Sequence, residues 1–162
     1  MIRKLFALAV VFMAPVAAGA QDAGGWRGGA GAEGSFAASP TCAGCTAPGL
    51  NFVCRSADKS VRLWIGLPLS QGAEGSAVDL IFAVDGLIDV RRGFRRSDPQ
   101  AGLLGTTDIT VDDGLIAALK LGRTVTVTVD GQTFQMALGG SADAFKEMRS
   151  ACGVAPVPVR EN

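Results

Sequence analysis

Thr124 to Val129 alternates threonine with valine, Asp130-Gly131 follows, and Gln132 to Leu138 returns with Phe134, Met136 and Leu138 on alternate positions. Alternation with period two is the pattern of a strand with one buried face. Asp-Gly is the pair a tight type I′ turn prefers, because both central residues need positive φ. A two-residue loop sets Val129 opposite Gln132, Val127 opposite Phe134 and Val125 opposite Met136. The same register sets Thr126 opposite Gln135 and Thr128 opposite Thr133, so one face is apolar and the other polar. A chain holding this hairpin must supply an apolar layer to cover it.

The flanking segments read as helices. Asp112 or Asp113 is placed to cap a short one carrying Leu115, Ile116 and Leu119, with Lys120 in its last turn and Gly122 as its stop. Beyond Leu138, Gly139-Gly140 breaks the strand, Ser141 is the expected N-cap, and Asp143 falls where the helix dipole favours an acid. Phe145, Met148 and Cys152 then form one apolar stripe, read as core packing, with Lys146, Glu147, Arg149 and Ser150 elsewhere.

Two runs within this region, LIAALKLGRTVTVTV (Leu115 to Val129) and GQTFQMALGGSADAFKEM (Gly131 to Met148), resemble the C-terminal part of the invasion-associated locus B family, small exported proteins of alphaproteobacteria. The shared pattern is a short helix, a basic-glycine break, a valine-rich strand, a return strand and a closing helix. The resemblance implies an exported protein that assists envelope integrity or host-cell contact.

The start of the chain points to the same compartment. Arg3 and Lys4, the apolar run Leu5 to Val16 and Ala18-Gly19-Ala20 have the form of a secretory signal over residues 1–20, cleaved before Gln21. The run is too short to be read as a spanning helix, and no later stretch is apolar enough to cross a bilayer. A periplasmic or secreted location is therefore expected. Residues 21–40 are rich in Gly and Ala, with Trp26 and Phe36 as the only large apolar side chains. So little apolar surface does not offset ordering entropy, and the segment reads as a flexible linker, with Trp26 an incidental exposed ring rather than the alternative, a partner-binding anchor.

A β-rich domain is expected over 41–155, followed by a tail over 156–162. Leu50 to Arg55 and Ser60 to Gly66 read as strands around the turn Ala57-Asp58-Lys59. Ala77 to Val84, Asp85-Gly86 and Leu87 to Arg92 form a second hairpin, with Val84 against Leu87, Ile81 against Val90 and Asp79 against Arg92. Apolar residues on both of its faces imply a central position. Gly93 to Asp108 reads as irregular, and Ile109 to Val111 as a short strand. The fold expected is mainly β: a small sandwich or curled antiparallel sheet of about six strands, with a short helix and a C-terminal helix packed on it.

The chain carries 15 basic and 15 acidic residues, a balance that argues against a nucleic-acid binder. It has no histidine, which removes the commonest general base and the partner of Ser or Cys nucleophiles. Asp79, Asp85, Asp89, Asp108, Asp112 and Asp113 fit turns, caps or cross-strand pairs, and no phosphate-holding glycine loop is present. These features point to a non-catalytic module without cofactor or metal.

Cys42, Cys45, Cys54 and Cys152 are even in number and read as disulfide partners in an oxidising compartment. Several connectivities are open. Cys152 is favoured to bond into the N-terminal group, because a core-facing thiol would otherwise end the last helix; such a bridge stabilises by about 3–5 kcal/mol in the chain-entropy model. Cys42-Ala-Gly-Cys45 also has the spacing of a thiol-disulfide redox motif, the alternative to a structural role, though no helix is expected after it. Arg91, Arg92, Arg95 and Arg96 surround Phe94 and are candidates for an anion-binding edge. Partners of matching chemistry are an acidic envelope or extracellular protein, or an anionic glycan or lipid; inhibition of a cell-wall enzyme such as lysozyme is a further role compatible with such a module. The competing reading pairs these arginines with Asp79, Asp89 and Asp98 in a solvated loop.

Overall fold

The computed structural model describes residues 25–31, 34–38, 49–98 and 102–154. The residues of the expected signal, Cys42, Cys45 and the tail over 156–162 lie outside them.

The hairpin forms with the register expected from its turn. Strands β8 (Thr124–Val129) and β9 (Gln132–Ala137) pair Val129 with Gln132, Val127 with Phe134 and Val125 with Met136. Asp130 and Gly131 both take positive φ, 49° and 73°, as do Asp85 and Gly86 in the second hairpin, 47° and 90°. That hairpin joins β5 (Ala77–Val84) to β6 (Leu87–Asp98), again in the expected register. Val125, Val127 and Val129 are buried together with Leu80, Phe82 and Val84 of β5, which lies directly beside β8.

The remaining strands are β1 (Arg27–Gly31), β2 (Gly34–Ala38), β3 (Leu50–Cys54), β4 (Ser60–Ile65) and β7 (Gly102–Thr110). All nine belong to one antiparallel sheet in the order β1-β2-β3-β4-β7-β6-β5-β8-β9. The sheet curls tightly. Over Gly105 of β7, a side chain would meet Leu80 of β5, Val129 of β8 and Ile65 of β4 within 4.0 Å, so strands far apart in the order converge on one interior.

Two helices close that interior. Asp113 caps α1 (Gly114–Leu121) by accepting from the Leu115 N–H at 2.8 Å, and Gly122 ends it. Helix α2 (Ser141–Ala151) packs on β1 and β2 and buries Ala144, Phe145 and Met148. Ser141 is not its N-cap. Gly140 takes that place in the left-handed region, and the Ser141 hydroxyl instead donates to the Leu119 carbonyl at 2.7 Å, tying α2 to α1.

Two further expectations are corrected. The sheet has nine strands rather than about six, because β1 and β2 occupy part of the segment read as a linker and β7 occupies part of the region read as irregular. Trp26 is buried, 7% exposed, against Phe145 (ring centroids 5.5 Å apart) and Phe52 (6.3 Å). Glycine makes this docking possible: a Cβ at Gly28 would stand 2.1 Å from the Ala144 carbonyl oxygen of α2. The apolar surface absent from this segment is supplied by a helix distant in sequence. The β5–β6 hairpin is central in the strand order, as expected, but Ile88, Val90 and Phe94 of β6 stay exposed on its outer face.

Candidate interaction surface

Strand β6 carries all four arginines, and its pleat divides them between two faces. Leu87, Asp89, Arg91 and Gly93 lie opposite Val84, Phe82, Leu80 and Val78, the buried residues of β5, so they share the interior face. Ile88, Val90, Arg92, Phe94 and Arg96 share the outer one.

The inward arginines are held by carboxylates. Arg91 makes paired hydrogen bonds to Asp89, both at 2.7 Å, and to Asp113 at 2.8 and 2.9 Å. Its hydrogen bonds to Asp89, and then to Asp113, hold its pKa above the ordinary arginine value despite partial burial. Arg95 bonds Asp130 in the turn between β8 and β9 and donates to the Ala77 carbonyl, leaving its buried Nε without a partner. Asp113 is thus both helix cap and ion-pair partner. No local signal in the sequence assigns Asp113 or Asp130 to these arginines, since they come from residues 22 and 35 positions away.

The outward pair is differently placed. Arg92 meets Asp79 at 3.3 Å, with side chains 70% and 63% exposed, so water competes for both. Arg96 is exposed and has no ion-pair partner among the described residues. Of the expected aspartate partners, Asp79 and Asp89 are found with Arg92 and Arg91. The arginines therefore do not converge on one point. Two build the interior and two stand on the surface.

Apolar side chains accompany the outward pair. Ile88, Val90 and Phe94 are 73%, 60% and 49% exposed on this face, and with Leu87 at the hairpin end, on the opposite face, and Leu121 they are the large exposed hydrophobic residues of the described chain. The backbone beside them is open as well. Val84 and Leu87 close a two-residue hairpin, so the backbone groups of Ile88, Val90 and Arg92 point away from β5. On that side the ladder with β7 begins only at Phe94 opposite Thr106, after which β7 turns to pair with β4. The Arg92 carbonyl accepts from the Thr107 hydroxyl at 3.2 Å, and among the described residues no backbone bond reaches Ile88 or Val90 there.

A concavity of about 780 Å³ lies between the helices. Val111, Ile116 and Val154 line it with apolar surface, and Lys120, Lys146 and Arg149 with cations, beside the carboxylates of Asp112 and Asp113. Arg149 donates to the Val111 carbonyl at 3.1 Å and pairs with Asp112, so this cation is engaged.

Other carboxylates are likewise engaged. Asp85 accepts from the Arg123 and Thr124 N–H groups, which lower its pKa from the ordinary value. Asp108 accepts twice from Arg62, at 2.8 and 2.9 Å, and these hydrogen bonds lower its pKa. Among the described residues no three Cys, Asp or Glu side chains gather as metal ligands, and no helix is long and apolar enough to cross a membrane.

Cys152, at the C-cap of α2, is bonded to Cys54 at the end of β3, with Cα atoms 6.0 Å apart. Lys59 donates to the Cys152 carbonyl at 2.7 Å, adding a second tie between helix end and β3–β4 turn.

No family model matches the sequence, and no curated protein matches it. Among solved structures, invasion associated protein B from Bartonella henselae has a similar fold, with a TM-score of 0.55 and 18% identity. The likeness covers 80% of this chain and 95% of that one.

Proposed function

We propose that this chain is an exported, disulfide-stabilised, non-catalytic interaction module of the cell envelope, acting through the outer face of β6. The observation that carries the reading is the concentration of exposed apolar and cationic side chains on this one strand, while the carboxylates around it serve ion pairs and caps. Exposed apolar surface gathered in one place is characteristic of contact sites. Arg92 and Arg96 add a preference for acidic or anionic partners.

Export is supported from three directions. The Cys54–Cys152 bridge needs an oxidising compartment to persist. Residues 1–20 have the composition of a secretory signal. The fold is similar to that of a protein described as invasion associated, in keeping with the resemblance of Leu115–Met148 to that exported family. Periplasm or extracellular medium is the location proposed.

Fractionation of a Gram-negative host expressing the full chain tests export: the mature protein is expected outside the cytoplasm, starting at Gln21 and oxidised at Cys54 and Cys152. Cross-linking in envelope extract, with the doubly substituted Arg92→Ala/Arg96→Ala protein as control, tests the surface. A partner captured equally well by the control sinks the assignment to β6. Retention of the intact precursor in the cytoplasm sinks the envelope reading.

A further inference from the structure

We infer that the open edge of β6, from Ile88 to Arg92, takes up an extended polypeptide strand in antiparallel pairing, with an acidic side chain opposite Arg92 and apolar side chains opposite Val90 and Ile88. The inference deepens the interaction-module reading and rests on it. It adds the class of partner and the bonds that hold it.

Two independent properties of the same residues lead here. The first is backbone chemistry. Ile88 and Val90 present an N–H and a carbonyl each toward the side where β7 has already departed. Donors and acceptors spaced along a strand edge are matched by another extended backbone. A sugar or lipid headgroup has no such repeat. The second is side-chain chemistry. Ile88 and Val90 are 73% and 60% exposed on the outer face, whereas soluble proteins usually protect such edges with lysine, proline or a bulge. No proline occurs between Ala77 and Asp98, and the β5–β6 register runs without a bulge.

Charge selects the occupant. Arg92 shares the outer face with Ile88 and Val90, and Arg96 follows on the same face beyond Phe94. A second copy paired antiparallel about Val90 would set Arg92 opposite Ile88 and leave the cation without a counter-charge, whereas a strand with one acid and two apolar residues on alternate positions matches all three side chains. On the interior face the added strand would lie against Asp89, Arg91 and Asp113, which are already satisfied by one another. Small polar side chains suit that side. Because β7 meets β6 at Phe94, the slot admits only a short strand, and its acidic end is the one nearest the junction.

The probe is a blocked synthetic peptide, Glu-Thr-Val-Thr-Val-Thr, titrated against the mature, oxidised protein. Its glutamate and valines are placed to share one face, and its threonines the other. N-methylation of the Glu and Val amides, which face β6 in this register, is expected to weaken binding about tenfold or more, and N-methylation of the Thr amides to leave it nearly unchanged. Val90→Pro removes an N–H that β5 does not use and should abolish binding. Val90→Lys, which keeps the backbone intact, should weaken it while near-ultraviolet circular dichroism stays that of the wild type.

Equal effects of methylation at both sets of amides overturn the strand. So does inorganic polyphosphate that binds at Arg92 and Arg96 and displaces the peptide whether or not it is methylated; that result would retain an anion-binding module without strand pairing. A dimer in sedimentation that Val90→Pro dissociates would make a second copy the occupant and also overturn the inference. Failure of the protein to leave the cytoplasm, by contrast, strikes the envelope reading and not the edge.

Discussion

The indole Nε1 of Trp26 donates to the Ala137 carbonyl at 3.1 Å, joining the residue that precedes β1 to the last residue of β9. These two strands stand at opposite ends of the nine-strand order, so the bond spans the gap left by the curl of the sheet. The Trp26 ring fills the same place, against Phe52 and Phe145.

Replacing Trp26 separates these roles. Trp26→Phe keeps most of the packing and loses the N–H, and is expected to cost about 1 kcal/mol. Trp26→Ala also opens a cavity between β1 and α2, and is expected to cost about 3–5 kcal/mol. Urea unfolding of the oxidised protein checks both. Equal losses for the two variants would mean that the ring contributes little.

The contrast between Trp26 and Val127 shows which parts of the fold are legible. Val127 is three residues from the turn that determines its partner, so alternation and Asp-Gly are enough to place it opposite Phe134. Trp26 is buried by Phe145, more than a hundred residues away, in a segment whose glycines carry no strand signal. Gly28 is informative only once the Ala144 carbonyl is seen beside it. For β6, apolar residues on both faces place it correctly inside the sheet, but that pattern carries no sign that β7 departs at Phe94 or that Ile88 and Val90 stay exposed. The arginine cluster was legible as composition, but its division into interior and surface pairs depends on Asp113 and Asp130.

Arg91 supplies a prediction about geometry rather than charge. Its guanidinium serves two carboxylates at once, Asp89 and Asp113, and the latter also caps α1. An ammonium group lacks the planar fork needed for both. Arg91→Lys is therefore expected to lose about 1–2 kcal/mol, close to the loss for Arg91→Met, with increased hydrogen exchange at the first turn of α1. A lysine variant as stable as the wild type would show that charge alone suffices.

The bridge between Cys54 and Cys152 closes a separation of 98 residues. Restricting so long a loop in the unfolded chain stabilises the fold by about 4–5 kcal/mol in the chain-entropy model. Cys54→Ser/Cys152→Ser is expected to lower the denaturation midpoint accordingly and to raise exchange at the end of α2 before that in β8. A change below about 1 kcal/mol would show that packing of Phe145 and Met148 alone fixes the helix.

Acid should weaken the fold in a defined window through Asp108. Its carboxylate accepts two hydrogen bonds from Arg62, and its pKa is lowered from the ordinary value of 3.8. A carboxylate with a depressed folded pKa binds its proton less readily than the unfolded chain does. Its contribution is therefore present in full above the unfolded pKa and is lost as pH falls through the folded one. The Arg62 and Asp108 side chains are 36% and 51% exposed, which limits the contribution to below about 1 kcal/mol. Asp108→Asn is expected to reduce stability by that amount at neutral pH and to differ little from the wild type once pH is below the folded pKa. Urea midpoints across the acid range measure the difference. A gap between variant and wild type that widens as the solution is acidified would reverse the sign and show that Asp108 is destabilising in its charged form.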